Sequence, residues 1–329
     1  MTSSSRRNAQ TWPYPRHRDF EAQLRESNAR WFAERRLAVN PRMPYLLARW
    51  EDWRENIILP EVVEYIDAEL KDRSEQNQGF PLHMYIHHGL SSQAMLFNLI
   101  GPLVARHDLS PLQKAFQTAG IPWPAGDTVL KFEVEDRDIF IEDTGQPTSI
   151  DLAIRGQAGS RTLFVEAKLV EREFGGCSVF ENGDCDGRNP SEDFELCYLH
   201  HLGRRYWELL DKHGFLNNSA FSGRVCPLAS YYQFFRELLF AVESGGEFVL
   251  LYDERNPAFY VGATPNQRGL MPFLLPFVPA PLQPKVHKIS IQQVVGAFHE
   301  FGDNQWLGEF EKKYALSTNP IAMGKLHLQ

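Results

Sequence analysis

Apolar and polar positions change rhythm along the chain. From Phe20 to Arg36, Leu24, Trp31 and Phe32 stand as apolar contacts among charged residues, which predicts a helix. Trp50 to Leu70 reads as a second helical region interrupted at Pro60. The polar run Lys71 to Gly79 reads as a linker, so the core is expected to begin near Phe80. Ser91 or Ser92 caps a helix through Met95, Leu96, Leu99 and Ile100, which Gly101-Pro102 should kink or end, and a short helix runs from Pro111 to Ala119. From Thr128 the period falls to two. Val129 to Val134, Ser149 to Arg155 and Arg161 to Val170 read as three consecutive strands separated by Gly- and Asp-rich turns. Residues 174–193 are rich in Gly, Asn and Asp. Helices follow at Leu196 to Lys212 and Ala229 to Val242, then an apolar strand at Glu247 to Tyr252. A proline-rich crossing from Pro272 to Pro284 leads to a helix around Ile291 to Phe301. This order predicts an α/β fold with a central mixed sheet flanked by helices. No internal repeat of 20–50 residues is evident.

The strands place chemistry. In Ile150 to Arg155 the isoleucines and leucine take one face, while Asp151, Ala153 and Arg155 take the other. In the next strand Leu163, Val165, Ala167 and Leu169 alternate with Thr162, Phe164, Glu166 and Lys168, so Glu166 and Lys168 share a face. If Gly156 to Arg161 closes a hairpin, positions summing to about 317 face each other and Asp151 meets Glu166. Like charges opposed across a sheet are destabilising. A divalent cation offsets the repulsion, and hard oxygen ligands suit Mg²⁺ or Mn²⁺. Lys168 beside them is placed to position or deprotonate a water, or to neutralise charge on phosphorus. The bland reading is a solvated strand face carrying an ordinary ion pair.

Within TSIDLAIRG and LFVEAKLVE this pattern resembles the PD-(D/E)xK nuclease superfamily, in its restriction-endonuclease-like branch, with FGGC after the VEAK strand and the helix YYQFFREL later. Ile150 stands where a proline often precedes the first acid. The resemblance covers roughly residues 85–255. It implies Asp151, Glu166 and Lys168 as catalytic residues, with Asp151 and Glu166 on metal. Glu133 is the preferred third acid, over Glu135 and Glu142. Gln233 is expected to orient Lys168 or the substrate backbone, and Arg236, three residues on, to pair with phosphate. Gln93 on the first core helix is expected at the metal site or on the DNA backbone. Implied activity is Mg²⁺-dependent DNA cleavage in restriction or defence. A nuclease fold that binds nucleic acid without cutting is the alternative, and a protein-interaction module a further one. The expected division is a basic N-terminal helical arm, 1–79, a nuclease-like core, 80–260, with a cysteine-bearing insertion, 174–228, and a C-terminal cap, 261–329.

Cys177, Cys185, Cys197 and Cys226 are separated by seven, eleven and twenty-eight residues. Grouped in a loop that could not fold alone, they fit a zinc or iron-sulfur staple, while the irregular gaps equally suit buried thiols. His83, His87, His88, His200 and His201 lack regular ligand spacing and read as structural.

Charge adds one asymmetry. Residues 1–54 carry eleven arginines and six acids, within totals of 34 basic and 42 acidic residues, so the remainder holds thirteen net negative charges. Nucleic acid must therefore meet a local patch, for which Arg6, Arg7, Arg16 and Arg18 in the arm, and Arg204 with Arg205, are candidates. The first fifteen residues lack an apolar leader pattern, and the four cysteines suit a reducing compartment, so a cytoplasmic location off the membrane is expected. No G-x-x-x-x-G-K loop is present, so any ATP motor comes from a partner; a homodimer is the other expected assembly.

Overall fold

A computed structural model of the chain describes residues 16–143, 145, 147–259, 269–301 and 305–316, so Arg6 and Arg7 lie outside the described residues. The elements run α1 (His17–Glu34), β1 (Val39–Asn40), β2 (Met43–Leu47), α2 (Pro60–Glu75), α3 (Ser92–Ala105), α4 (Ser110–Thr118), β3 (Val129–Glu135), β4 (Ser149–Arg155) and β5 (Thr162–Lys168). They continue through α5 (Ser178–Glu181), α6 (Tyr198–His201), α7 (Tyr206–Lys212), α8 (Pro227–Glu243), β6 (Glu247–Tyr252), α9 (Leu270–Leu274), β7 (Val286–Ser290), α10 (Ile291–Glu300) and α11 (Leu307–Lys313).

The central sheet has five strands in the order β3-β4-β5-β6-β7. The first three form antiparallel ladders, and β5, β6 and β7 run parallel, with α7 and α8 in the crossover from β5 to β6 and α9 in that from β6 to β7. The β4–β5 pairing is Leu152 with Val165, Ala153 with Phe164 and Ile154 with Leu163, the register expected for a hairpin at 156–161. Strand β7 was not legible from its mixed Val286-His287-Lys288-Ile289-Ser290 pattern, because a parallel edge strand is selected by its non-local partner β6.

One side of the sheet packs Leu130, Phe132, Leu152, Leu163, Val165 and Ile289 against α3, α4, α10 and α11. The other packs Ala153, Phe164, Phe248 and Leu250 against the aromatic faces of α7 and α8. Phe20 and Leu24 of α1 and Val62 and Ile66 of α2 belong to the same apolar cluster as Ile289 and Phe310, so residues 16–79 build the core that the sequence places after Phe80.

Three local readings are corrected. The α2 helix runs on to Glu75 through the expected linker, because Arg73 is buried at 4% exposure beneath β3. Pro102 lies inside the last turn of α3 rather than ending it; the adjacent Gly101 allows α2 to approach, since a Cβ there would stand 2.6 Å from a Val62 methyl. The expected helix from Leu196 to Lys212 is split into α6 and α7 around Gly203, whose φ of 85° is a left-handed conformation that suits glycine.

Candidate active site

The acids gather where β3 and β5 end and β4 begins, at the carboxyl end of the parallel pair β5–β6, the end where open α/β sheets bind ligands. Phe132 pairs with Leu152 and Val134 with Ile150, which sets Glu133 opposite Asp151, and the β4–β5 register carries Asp151 to Glu166. Three carboxylates therefore lie in a row across three strands. The ladder is interrupted there. Glu133 has a φ of 50°, and the Asp151 side chain takes the ladder's place by accepting the Ala167 amide at 2.8 Å. Phe132 and Leu152 belong to one apolar cluster, Val134 and Ile150 to the other. The regular alternation expected for β4 thus breaks at the acid pair, and Ile150 is not on the face of Leu152.

Each acid has a distinct setting. Glu133 is buried, accepting Gln93 Nε2 at 2.6 Å and Ser149 Oγ at 2.8 Å. Burial pushes its carboxyl up to about 7, against the lowering effect of those two bonds, with the charge of Glu166 adding to the rise. Asp151 keeps a partial opening to solvent, yet surrounding protein, then Glu166 and Glu133, hold its carboxyl well above the ordinary range. Glu166 Oε1 accepts both Lys168 Nζ at 2.7 Å and Gln233 Nε2 at 2.8 Å. Lys168 Nζ also donates to Gln233 Oε1 at 2.9 Å, and Phe174 lies under it at 5.7 Å. Burial opposes the ammonium charge, but Glu166, Glu237, Glu171 and Asp151 together outweigh it, so Lys168 is held above its ordinary value. That balance favours the ammonium form of Lys168.

Gln233 is brought in by α8. Its backbone N–H donates to Gly175 O at 3.0 Å, so the chain just after β5 fixes the side chain that links Glu166 to Lys168. Arg236 does not join it. The Arg236 guanidinium lies 5.1 Å over the Tyr232 ring on the side of Tyr206 and Glu142. Glu237, four residues from Gln233, is the residue that turns toward Glu166 and Lys168; it is fully buried, and burial followed by the Glu166 charge raises its carboxyl well above the usual range. Among the described residues neither of its oxygens closes a hydrogen bond, Gln233 offering only a weak polar neighbour. A spacing of four on one helix was the available signal for Glu237.

Gln93 is engaged inside the protein, since it also donates to Pro81 O at 2.8 Å and accepts the His83 amide at 2.8 Å. Arg204 Nη1 donates to Ile141 O, and the Arg205 N–H to Phe140 O, so both bind the loop after β3. Glu142 clamps that loop by accepting Thr148 N at 2.6 Å and Tyr206 Oη–H at 2.5 Å. Two supporting residues escaped the sequence reading. Ser149 holds Glu133, and Arg73 donates to Glu133 O at 2.7 Å and Phe132 O at 2.6 Å, pinning the left-handed turn. In a regular strand successive carbonyls point to opposite sides. Here one guanidinium takes both.

Among the described residues no three His, Cys, Asp or Glu side chains already close on one point as ligands of a single ion. The oxygen chemistry nevertheless suits a hard cation. Asp151 Oδ1 and Glu166 Oε2 carry no hydrogen bond among the described residues, and mutual repulsion raises the neighbouring carboxyls.

The family description restriction endonuclease associating with ARP matches residues 25–315, which takes in every element from within α1 to α11. The chain belongs to this restriction endonuclease family. Comparison with curated proteins and with solved structures gives no significant match. Membership in the restriction endonuclease family agrees with the five-stranded mixed sheet and points to a nuclease. Among the described residues no helix is long and apolar enough to cross a membrane.

Proposed function

We propose that the chain is a divalent-metal-dependent DNA endonuclease acting in restriction, in association with the ARP partner that the family description names. The observation that carries this reading is the row Glu133, Asp151 and Glu166 with Lys168 hydrogen-bonded to the last of them. Asp151 and Glu166 would hold Mg²⁺ or Mn²⁺, with Glu133 as third acid; when bound, such an ion polarises a phosphoryl oxygen and acidifies a water. Lys168 orients the attacking water and offsets negative charge developing on the phosphate. Gln233 bonds both Glu166 and Lys168 and so fixes their ion pair in place. The acid row favours a cation over a bare phosphate, since its three carboxylates would repel the DNA backbone.

Plasmid and linear DNA incubated with Mg²⁺, Mn²⁺ or chelator test the reading. Cleavage is expected with metal and none with chelator. Asp151→Asn and Lys168→Ala should fold and lose cleavage by about 10²-fold or more. DNA binding without any nicking would replace the enzyme with a nuclease-fold binding module.

A further inference from the structure

Cys177, Cys185, Cys197 and Cys226 are free and half-buried, and among the described residues no three of them are placed to hold a metal. The surface beside the acid row offers more. In the loop from Phe80 to Leu90, Met84 is 65% and Tyr85 54% exposed, and Trp50 beside it is 40% exposed. Single exposed apolar side chains are ordinary, but these three are connected. Trp50 Nε1 donates to His83 O at 3.4 Å, and the His83 ring lies 5.4 Å from that of Tyr85.

The loop is firmly held. Ile86 is fully buried, and Asn56 Nδ2 donates to the carbonyls of Ile86 at 2.7 Å and His88 at 3.0 Å. Leu47 N–H donates to His87 O at 3.2 Å and Gly89 N–H to Tyr45 O at 2.9 Å, so β2 grips the same segment. Within it, Ile86 N–H donates to His83 O at 2.9 Å and His88 N–H to Tyr85 O at 2.8 Å, two successive turns that leave Met84 and Tyr85 at the tip. Side chains on a backbone fixed in this way lose little entropy when they are covered.

The same loop is tied to the acid row. Gln93 Nε2 donates to Pro81 O at 2.8 Å and to Glu133 Oε1 at 2.6 Å, while Gln93 Oε1 accepts the His83 amide at 2.8 Å. A strand held at the row therefore passes this loop. Between the loop base and the 3₁₀ turn Trp50–Asn56 lies a cleft of about 380 Å³, lined by Trp50, Glu51, Trp53, Leu70, Phe80 and Leu82. Its walls are largely aromatic and aliphatic. The exposed Glu51 adds a carboxylate, which repels a phosphate but accepts the amino group of a base.

We propose that Trp50, Met84 and Tyr85 form a platform for unstacked nucleobases, so that the preferred substrate is DNA with an unpaired base next to the phosphate at the acid row. This rests on the nuclease reading and names its substrate class. Every base has a π-face, so the platform tolerates any sequence. Selectivity comes from the unstacking energy that a paired base costs and an unpaired one does not.

Binding of the full chain is measured in chelator and again with Mg²⁺, to a duplex carrying 2-aminopurine paired with thymine and to the same strand with that base bulged. Wild type should bind the bulged duplex about tenfold more tightly and quench its fluorescence. Trp50→Ala and Tyr85→Ala should each lose most of the preference and the quenching, and Tyr85→Phe should keep both. Phe273→Ala, which removes an exposed ring on α9, should change neither. Equal affinity of wild type for the two duplexes overturns the proposal, as does a preference that survives both alanine variants, and either result leaves the nuclease reading standing and the patch to a protein partner. No binding to either duplex overturns both. Bulge preference with no cleavage under any metal would sink the nuclease reading and keep the platform.

Discussion

Glu133 shows how a single residue can be both strained and functional. A non-glycine side chain in the left-handed region is uncommon and costs backbone energy, on the order of 1 kcal/mol or more, that surrounding contacts must offset. Here they do so through Arg73, Gln93 and Ser149. Because the folded carboxyl titrates near 7 and the unfolded one near 4.3, the native state binds the proton more tightly. Its contribution to stability is therefore full at low pH and is lost as pH rises through 7, by on the order of 3 kcal/mol. In chelator, the wild-type urea midpoint should fall between pH 5 and pH 8 more than that of Glu133→Gln; equal slopes would show that Glu133 is not the titrating group. The meeting of Asp151 with Glu166 was readable from hairpin register, and the shared face of Glu166 and Lys168 from the alternation of β5, because both are local properties of adjacent strands. Glu237 was not singled out, since its one signal, the spacing of four from Gln233 on an aromatic-rich helix, is shared by any residue one turn on.

At the scale of elements, α2 and β3 are joined by Arg73 in a way no sequence periodicity would disclose, as the residue sits in a stretch of Lys, Asp, Ser and Glu that reads as solvent-exposed. Its ammonium equivalent cannot replace it, because a lysine has no fork to span two carbonyls. Arg73→Met should lower stability by about 2–4 kcal/mol by leaving the Phe132 and Glu133 carbonyls unpaired, and Arg73→Lys should recover less than half of that, both read from urea unfolding. An unchanged midpoint in Arg73→Met would mean that β3 holds its turn without help. In the split of the expected Leu196 to Lys212 helix, Gly203 was visible, and its left-handed φ ends α6, where Gly203 N–H donates to His200 O and Arg204 N–H to Leu199 O.

For the molecule as a whole, the N-terminal segment read as an arm because its basic charge was given more weight than the apolar stripe of Leu24, Trp31 and Phe32, which is buried. Lys313 of α11 shows the attachment. It is fully buried, donates to Asn56 Oδ1 at 2.7 Å and lies 4.2 Å over the Trp31 ring. Asn28 of α1 returns a bond to Lys313 O at 3.1 Å, so the two ends of the described chain are latched together. Burial holds the Lys313 amine well below its ordinary value. Lys313→Ala should cost about 2–4 kcal/mol through the emptied volume and unpaired Asn56 groups, whereas Lys313→Met, which keeps the stem and removes the buried amine, should cost less, as thermal or urea unfolding would show. Equal losses would assign the latch to the amine rather than to packing.

Among the described residues strand β3 has a neighbour on one side only, and the free flank of such a strand is ordinarily an invitation to another chain. Where Arg73 occupies two successive carbonyls, that invitation is withdrawn. A stray strand from a second copy would have to displace a buried guanidinium before it could continue the ladder, so concentrated protein should resist fibril growth from this flank until Arg73 is removed.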